Sequence, residues 1–450
     1  MRIINRIRLL LFLLLSALLS FVPRSQADVT ILLEEPYSYD GALAGTGHAA
    51  IYLNQICAES PIQLRRCTPG ELGVVISRYH DVGGRDWIAI PLISYLYAVE
   101  KPEEIPLIAD AKLEAALRDR YRRAHLESVA PDTSEGATPT GNWYELIGSA
   151  YDRTLYGFQI ETTPEKDDEF IAHYNSAPNE DSYKLVTRNC ADFVRDVINF
   201  YYPKAVGRSL IADWNIATPK HTAKSLVKYS RHHSDLRFSA FVIPQVPGTI
   251  KRSKPIHGLV DSVFKAKKYE IPLLVLQPFV GGGFAVAYFV SGRFDPAHDA
   301  KILDPLGNLE APLTENQRRS HQQSLQEMLG TEPAVGSEHA RATWREFANS
   351  ARLQLDEAGQ PVLLGTVNGA AVRVGISRGN VLSSSTQPEL VRELLLARLR
   401  DELRRGSPPK ASDSQLSSDL LLLQQLQQSA SANNSDHATL TAANRRAGTK

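Results

Sequence analysis

Two segments of this 450-residue chain carry side chains in positions suited to chemistry. In the first, Asn189-Cys190 heads the run Asn-Cys-Ala-Asp-Phe-Val-Arg-Asp-Val-Ile-Asn-Phe-Tyr-Tyr, which places a thiol where a helix begins. Unpaired N–H groups and about half a positive charge at a helix N-terminus favour thiolate over thiol, and a thiolate is the nucleophile of cysteine catalysis. The alternative is a small inert core residue. In the second segment, His48 follows glycines 45 and 47 and opens an alternating strand, which sets an imidazole at a sheet end. A cysteine nucleophile needs a base within hydrogen-bond reach, and His48 stands out for that role among twelve histidines.

Compartment bears on the thiol. Arg2, Arg6 and Arg8, the apolar stretch from Leu9 to Val22, and Pro23-Arg24-Ser25-Gln26-Ala27 form the three regions of a secretory signal peptide over residues 1–27, with cleavage expected after Ala27. The mature chain is then exported, periplasmic or envelope-associated, and an uncleaved signal would tether it to the membrane. Disulfides persist there, and three cysteines leave one over. Cys57 and Cys67 flank a short loop between two apolar runs, where a hairpin-stapling disulfide belongs; it would contribute about 2.5–3 kcal/mol through the unfolded state. Cys190 is then the unpaired thiol.

The pair of segments is more specific than either alone. Gly47-His-Ala-Ala-Ile-Tyr-Leu and Arg188-Asn-Cys-Ala-Asp-Phe-Val resemble the two signature elements of circularly permuted papain-like cysteine enzymes, over residues 28–205. That superfamily includes lecithin retinol acyltransferase-like proteins and permuted relatives of NlpC-type cell-wall peptidases. The resemblance implies Cys190 as nucleophile and His48 as its base. It also implies a third polar group that orients the histidine. A regular stapled hairpin sets His48 opposite Ile76 or a little beyond, and within Ile76 to His80 the best chemical match is His80. Donors for a tetrahedral oxyanion would be the Cys190 N–H and the Asn189 side chain, although Asn189 also suits a plain helix cap.

The elements that must position these groups are legible in outline. Strands are expected at Val29 to Leu33, Gly47 to Leu53, Leu72 to Tyr79, Trp87 to Leu92 and Tyr156 to Thr162. Helices are expected at Ala109 to His125, Trp143 to Leu155, Pro164 to Tyr174 and from Cys190 to Pro203. In the last, Val194, Val197, Ile198 and Tyr201 recur at helical spacing and align with Cys190 on one buried stripe. This catalytic domain spans 28–230. Residues 231–300 form an apolar linker region whose run from Ile271 to Val290, broken by Gln277-Pro278 and three glycines, reads as a membrane-associated segment or a buried strand pair. Lys265, Lys267 and Lys268 on its outer flank argue against a simple span. A small α+β unit is expected over 301–405, with polar helix over 305–330, short strands within 351–377 and a helix over 388–405. A disordered tail follows over 406–450.

The fold class is therefore α+β, a permuted papain-like sheet packed on a thiol-bearing helix. Equal numbers of basic and acidic residues leave a formal net charge of zero, so no global field points to nucleic acid. No zinc-type spacing or phosphate loop appears, and neither a metal nor an organic cofactor is implied. The expected activity is cysteine-dependent hydrolysis or acyl transfer at an amide or ester of a cell-wall peptide or lipid. A catalytically silent binding module and a membrane-associated envelope protein are the alternatives.

Overall fold

The computed structural model of the protein describes residues 27–37, 46–258, 294–303 and 346–377, apart from short stretches within them, together with the isolated residue 323. The expected signal segment before residue 27, the apolar run 271–290, the helix over 388–405 and the tail lie outside the described residues, as does nearly all of 305–330. Among the described residues no helix is long and apolar enough to cross a membrane.

Helices and a largely antiparallel sheet combine in an α+β fold. The main strands are β1 (Asp28–Glu34), β2 (His48–Leu53), β5 (Val74–Ser77), β6 (Ile88–Pro91), β7 (Leu155–Glu161), β8 (Ser239–Ile243) and β9 (Lys301–Ile302), in the order β6-β5-β2-β1-β7-β8-β9. A separate hairpin of β3 (Ile56–Ser60) and β4 (Gln63–Arg66) is closed by the Cys57–Cys67 disulfide, leaving Cys190 as the free cysteine. Strand β1 reads Val-Thr-Ile-Leu-Leu because it lies in the middle of the sheet and both its faces are covered.

Alternation along β1 and β2 divides the core in two. Leu32 and Ala50 face a cluster with the helices α1 (Leu92–Tyr97), α2 (Ala111–His125) and α3 (Ser149–Asp152). Leu33, Ala49 and Ile51 face α5 (Cys190–Tyr201) and α6 (Pro219–Ser230), with Phe170 of α4 (Pro164–Ser176) in the same cluster. The buried stripe of α5 is Phe193, Val194, Val197, Ile198 and Tyr201, as the spacing predicts. Each of those side chains contributes roughly 1.5–3 kcal/mol on burial, enough to hold the helix against the sheet.

Two sequence expectations are corrected. The domain boundary at residue 230 does not hold, because β8 and β9 complete the main sheet. The strands β10 (Arg352–Leu355), β11 (Pro361–Val367) and β12 (Ala370–Gly375) do form a small sheet, yet it shares the first core: Phe347, Leu363 and Ile376 pack there, and Arg120 of α2 donates to the Gly359 carbonyl. The single helix expected from Trp143 to Leu155 is instead a 3-10 turn and the short α3, separated by Gly148 at φ 76°. A left-handed residue interrupts the helical hydrogen-bond ladder.

Candidate active site

The head of α5 is locked by a capping box. Asn189 Oδ1 accepts from the Asp192 N–H at 3.0 Å, and Asp192 Oδ2 accepts from the Asn189 N–H at 3.3 Å. The Asn189 amide also donates to the carbonyls of Leu185 and Ala217 at 2.9 and 3.0 Å. Both donors are committed, so Asn189 is a structural cap and the expected oxyanion role for its side chain is withdrawn. Arg78 steadies the same turn, bonding Asp86 at 2.6 Å and the Asn189 carbonyl at 3.4 Å.

Cys190 is buried at the first position of this helix. Pairing between β2 and β5 runs from Leu53–Val74 to Ile51–Ile76 and stops there. Beyond that end the backbone N–H groups of Ala49 and Ala191 lie close enough to the Cys190 sulfur to favour its thiolate form. The thiol thus meets β2 at the residue next to His48. His48 itself belongs to the alternation of Leu32 and Ala50, so its ring lies on the α1–α3 face while α5 covers the other. There it stacks on Tyr79 with centroids 4.2 Å apart and planes 12° apart. Among the described residues its buried Nε2 has no hydrogen-bond partner, and no Cys190–Nε2 hydrogen bond is formed.

A buried polar network surrounds the ring. Glu34 is paired with His48 across β1 and β2 and is wholly buried. It accepts from the Tyr95 hydroxyl, which lies 3.2 Å from that of Tyr79. Arg153 sits 3.3 Å from Glu34 Oε2 and 3.2 Å from Glu145, with its guanidinium over the Tyr37 ring. The contact to Glu34 is ionic rather than an aligned hydrogen bond, since Oε2 has no hydrogen-bond partner among the described residues. Beyond Tyr37 a cavity of about 800 Å³ is also lined by Glu114, Arg118, Trp143 and Asp152; Arg118 binds both acids and the Ile147 carbonyl, tying α2 to the turn before α3.

Electrostatics keep the thiol and the imidazole neutral at rest. Burial pushes the Cys190 thiol up to about 11; the Ala49 and Ala191 N–H groups work against that, and the Glu34 and Glu145 carboxylates add to it. Desolvation therefore outweighs the helix terminus, contrary to the expectation of a thiolate. Burial, with Arg153 as a lesser cause, holds His48 well below its usual range. Burial lifts the Glu34 carboxyl to about 7, against the opposing pull of Arg153 and Tyr95.

Of the expected site residues, Cys190 and His48 are brought to adjoining positions, whereas His80 is not. Its ring is exposed and stands edge-on to Tyr183, 5.5 Å between centroids. The β2–β5 register is offset from a regular hairpin, so Tyr79 rather than His80 falls against His48. Glu34, Glu145 and Arg153 were missed. The available signal was Glu34-Glu35, an acidic pair ending a strand otherwise free of charge after Asp28. The cluster with metal-ligand spacing among the described residues is Cys57, Cys67 and Glu71, and its two sulfurs are joined as a disulfide. Comparison with known protein families, curated proteins and solved structures finds no match to this chain.

Proposed function

We propose that the protein is an exported cysteine-dependent hydrolase or acyltransferase acting on an amide or ester through Cys190 and His48. The observation that carries this reading is a free, buried thiol at the head of the helix that packs on β2, the strand opened by a buried histidine whose Nε2 is left without a partner among the described residues. Buried polar atoms are nearly always satisfied, and exceptions concentrate where chemistry is done. The resemblance of the two segments to permuted papain-like enzymes supports the same assignment, and cell-wall peptides and lipids are its substrate classes.

Because both partners rest neutral, the proton leaves sulfur as attack proceeds. The Cys190 sulfur forms a bond to the carbonyl carbon while the thiol proton passes to His48 Nε2, a transfer for which the ring must leave its resting stack on Tyr79, where it makes no bond to the thiol. The tetrahedral intermediate then collapses, the carbonyl–nitrogen or carbonyl–oxygen bond breaks, and His48 returns the proton to the leaving atom. Water, or an acceptor alcohol or amine, next attacks the thioester, giving up its proton to His48 and restoring the thiol. The charge that forms on the ring is opposed by Arg153, which itself pairs with Glu34 and Glu145.

The test is turnover of a panel of acyl amides and esters by the mature protein. Cys190→Ala and His48→Ala should each abolish it; turnover that survives Cys190→Ala would overturn the proposal. A silent binding module is the second reading, favoured by the neutral thiol, and a thioester trapped on Cys190 would exclude it.

A further inference from the structure

Five consecutive residues, Lys184 to Arg188, are exposed immediately before the buried Asn189 and Cys190. They form a closed turn in which the Lys184 N–H donates to the Arg188 carbonyl at 3.2 Å, and the Thr187 and Arg188 N–H groups donate to the Lys184 carbonyl at 3.1 and 2.8 Å. Turn tips ordinarily carry Gly, Asn, Asp, Ser or Pro. Here the tip is Leu185-Val186, 54% and 53% exposed, the two most exposed large apolar side chains among the described residues. The tip is also held outward, because its backbone is clamped from behind by Asn189 on the Leu185 carbonyl and Arg208 on the Thr187 carbonyl.

Charge decides what such a tip fits. Lys184 has no ion-pair partner among the described residues. Arg188 shares Asp86 with Arg78, so two guanidiniums face one carboxylate and one positive charge is left over. Apolar side chains projecting between basic ones are the pattern of a segment that enters the headgroup layer of an anionic membrane.

We infer that the Lys184–Arg188 turn is a membrane-docking wedge that seats the start of the Cys190 helix on an anionic lipid surface. This rests on the proposed function for its consequence: docking two residues from the nucleophile presents Cys190 to carbonyls at the headgroup boundary and narrows the substrate class to lipid esters or amides.

Vesicle binding by the mature protein tests it, with Cys190→Ala as a parallel sample so that turnover plays no part. Binding to phosphatidylcholine vesicles containing phosphatidylglycerol should exceed binding to phosphatidylcholine alone. The double variant Leu185→Ser/Val186→Ser should weaken it about tenfold or more, and Lys184→Gln about fivefold. All three positions are exposed, and an unchanged melting curve verifies the fold. Absence of vesicle binding, or equal binding by the double variant, overturns the wedge. So does a wild-type dimer on size-exclusion that the double variant dissociates, because the tip would then cover a second copy. If Cys190→Ala binds vesicles and the wild type turns over no substrate, the catalytic proposal fails and the wedge stands.

Discussion

Alkylation of Cys190 offers the sharpest reading of the site, because the disulfide leaves one free thiol and each adduct is counted by intact mass. Burial and the facing carboxylates move that thiol from an ordinary 9.0 to about 11. Two units reduce the thiolate fraction about 100-fold at neutral pH. Thiolate nucleophilicity rises with basicity at a slope of about 0.4–0.5, which makes each thiolate roughly six to ten times more reactive. The net expectation is iodoacetamide labelling about tenfold slower than the same thiol in the urea-unfolded chain, before any steric protection, with the rate still climbing above about pH 9. Glu34→Gln removes a carboxylate that raises the thiol and should move the inflection downward. A rate that levels off below about pH 7, or labelling faster in the folded chain, would mean a preformed thiolate–imidazolium pair and refute the neutral resting thiol and imidazole.

Glu34 also governs stability. Its folded carboxyl sits near 7 instead of 4.5, so the folded chain keeps a proton that the unfolded chain releases; stability falls as pH rises from 4.5 to 7, by about 3 kcal/mol in total. Glu34→Gln should flatten that interval in denaturant titrations, and parallel curves for the two proteins would count against it. Gly47→Ala should cost about 2–4 kcal/mol and displace His48, because Gly47 has φ 70° and an added Cβ would meet the Glu34 carbonyl at 2.0 Å; a wild-type melting point would disprove it. Replacing Cys57 and Cys67 together by Ser should lower stability by about 2.5–3 kcal/mol, measured by urea unfolding under non-reducing conditions. Asn189→Ala should remove about 1–2 kcal/mol with the cap, and an unchanged urea midpoint would contradict the capping box.

Local pattern carried much of this protein. The 3.6-residue stripe of α5, the Asn cap before it and the alternation of β2 are properties of short windows, and short-range sterics and hydrogen bonding determine them. Cysteine arithmetic in an expected export context paired Cys57 with Cys67 and left Cys190 free. Trp143 to Leu155 misled because its apolar spacing is helical, while Gly148 takes a conformation no periodicity announces. His80 was preferred over Tyr79 because chemistry suggested it, and strand register, set by where the β2–β5 ladder begins, decided otherwise.

By itself, then, the sequence determined the class of fold, the free thiol, its cap and the strand that bears the histidine. Only the tertiary structure decided what surrounds them. Glu34 lies 14 positions from His48 and Arg153 lies 105 from it, and it is strand pairing and the packing of α3 that bring them together. Burial then sets the charges: the same helix start that favours a thiolate in water holds a neutral thiol once desolvation exceeds what two backbone N–H groups return. Desolvation depends on every atom that excludes water from the site, which is why no local motif reports it.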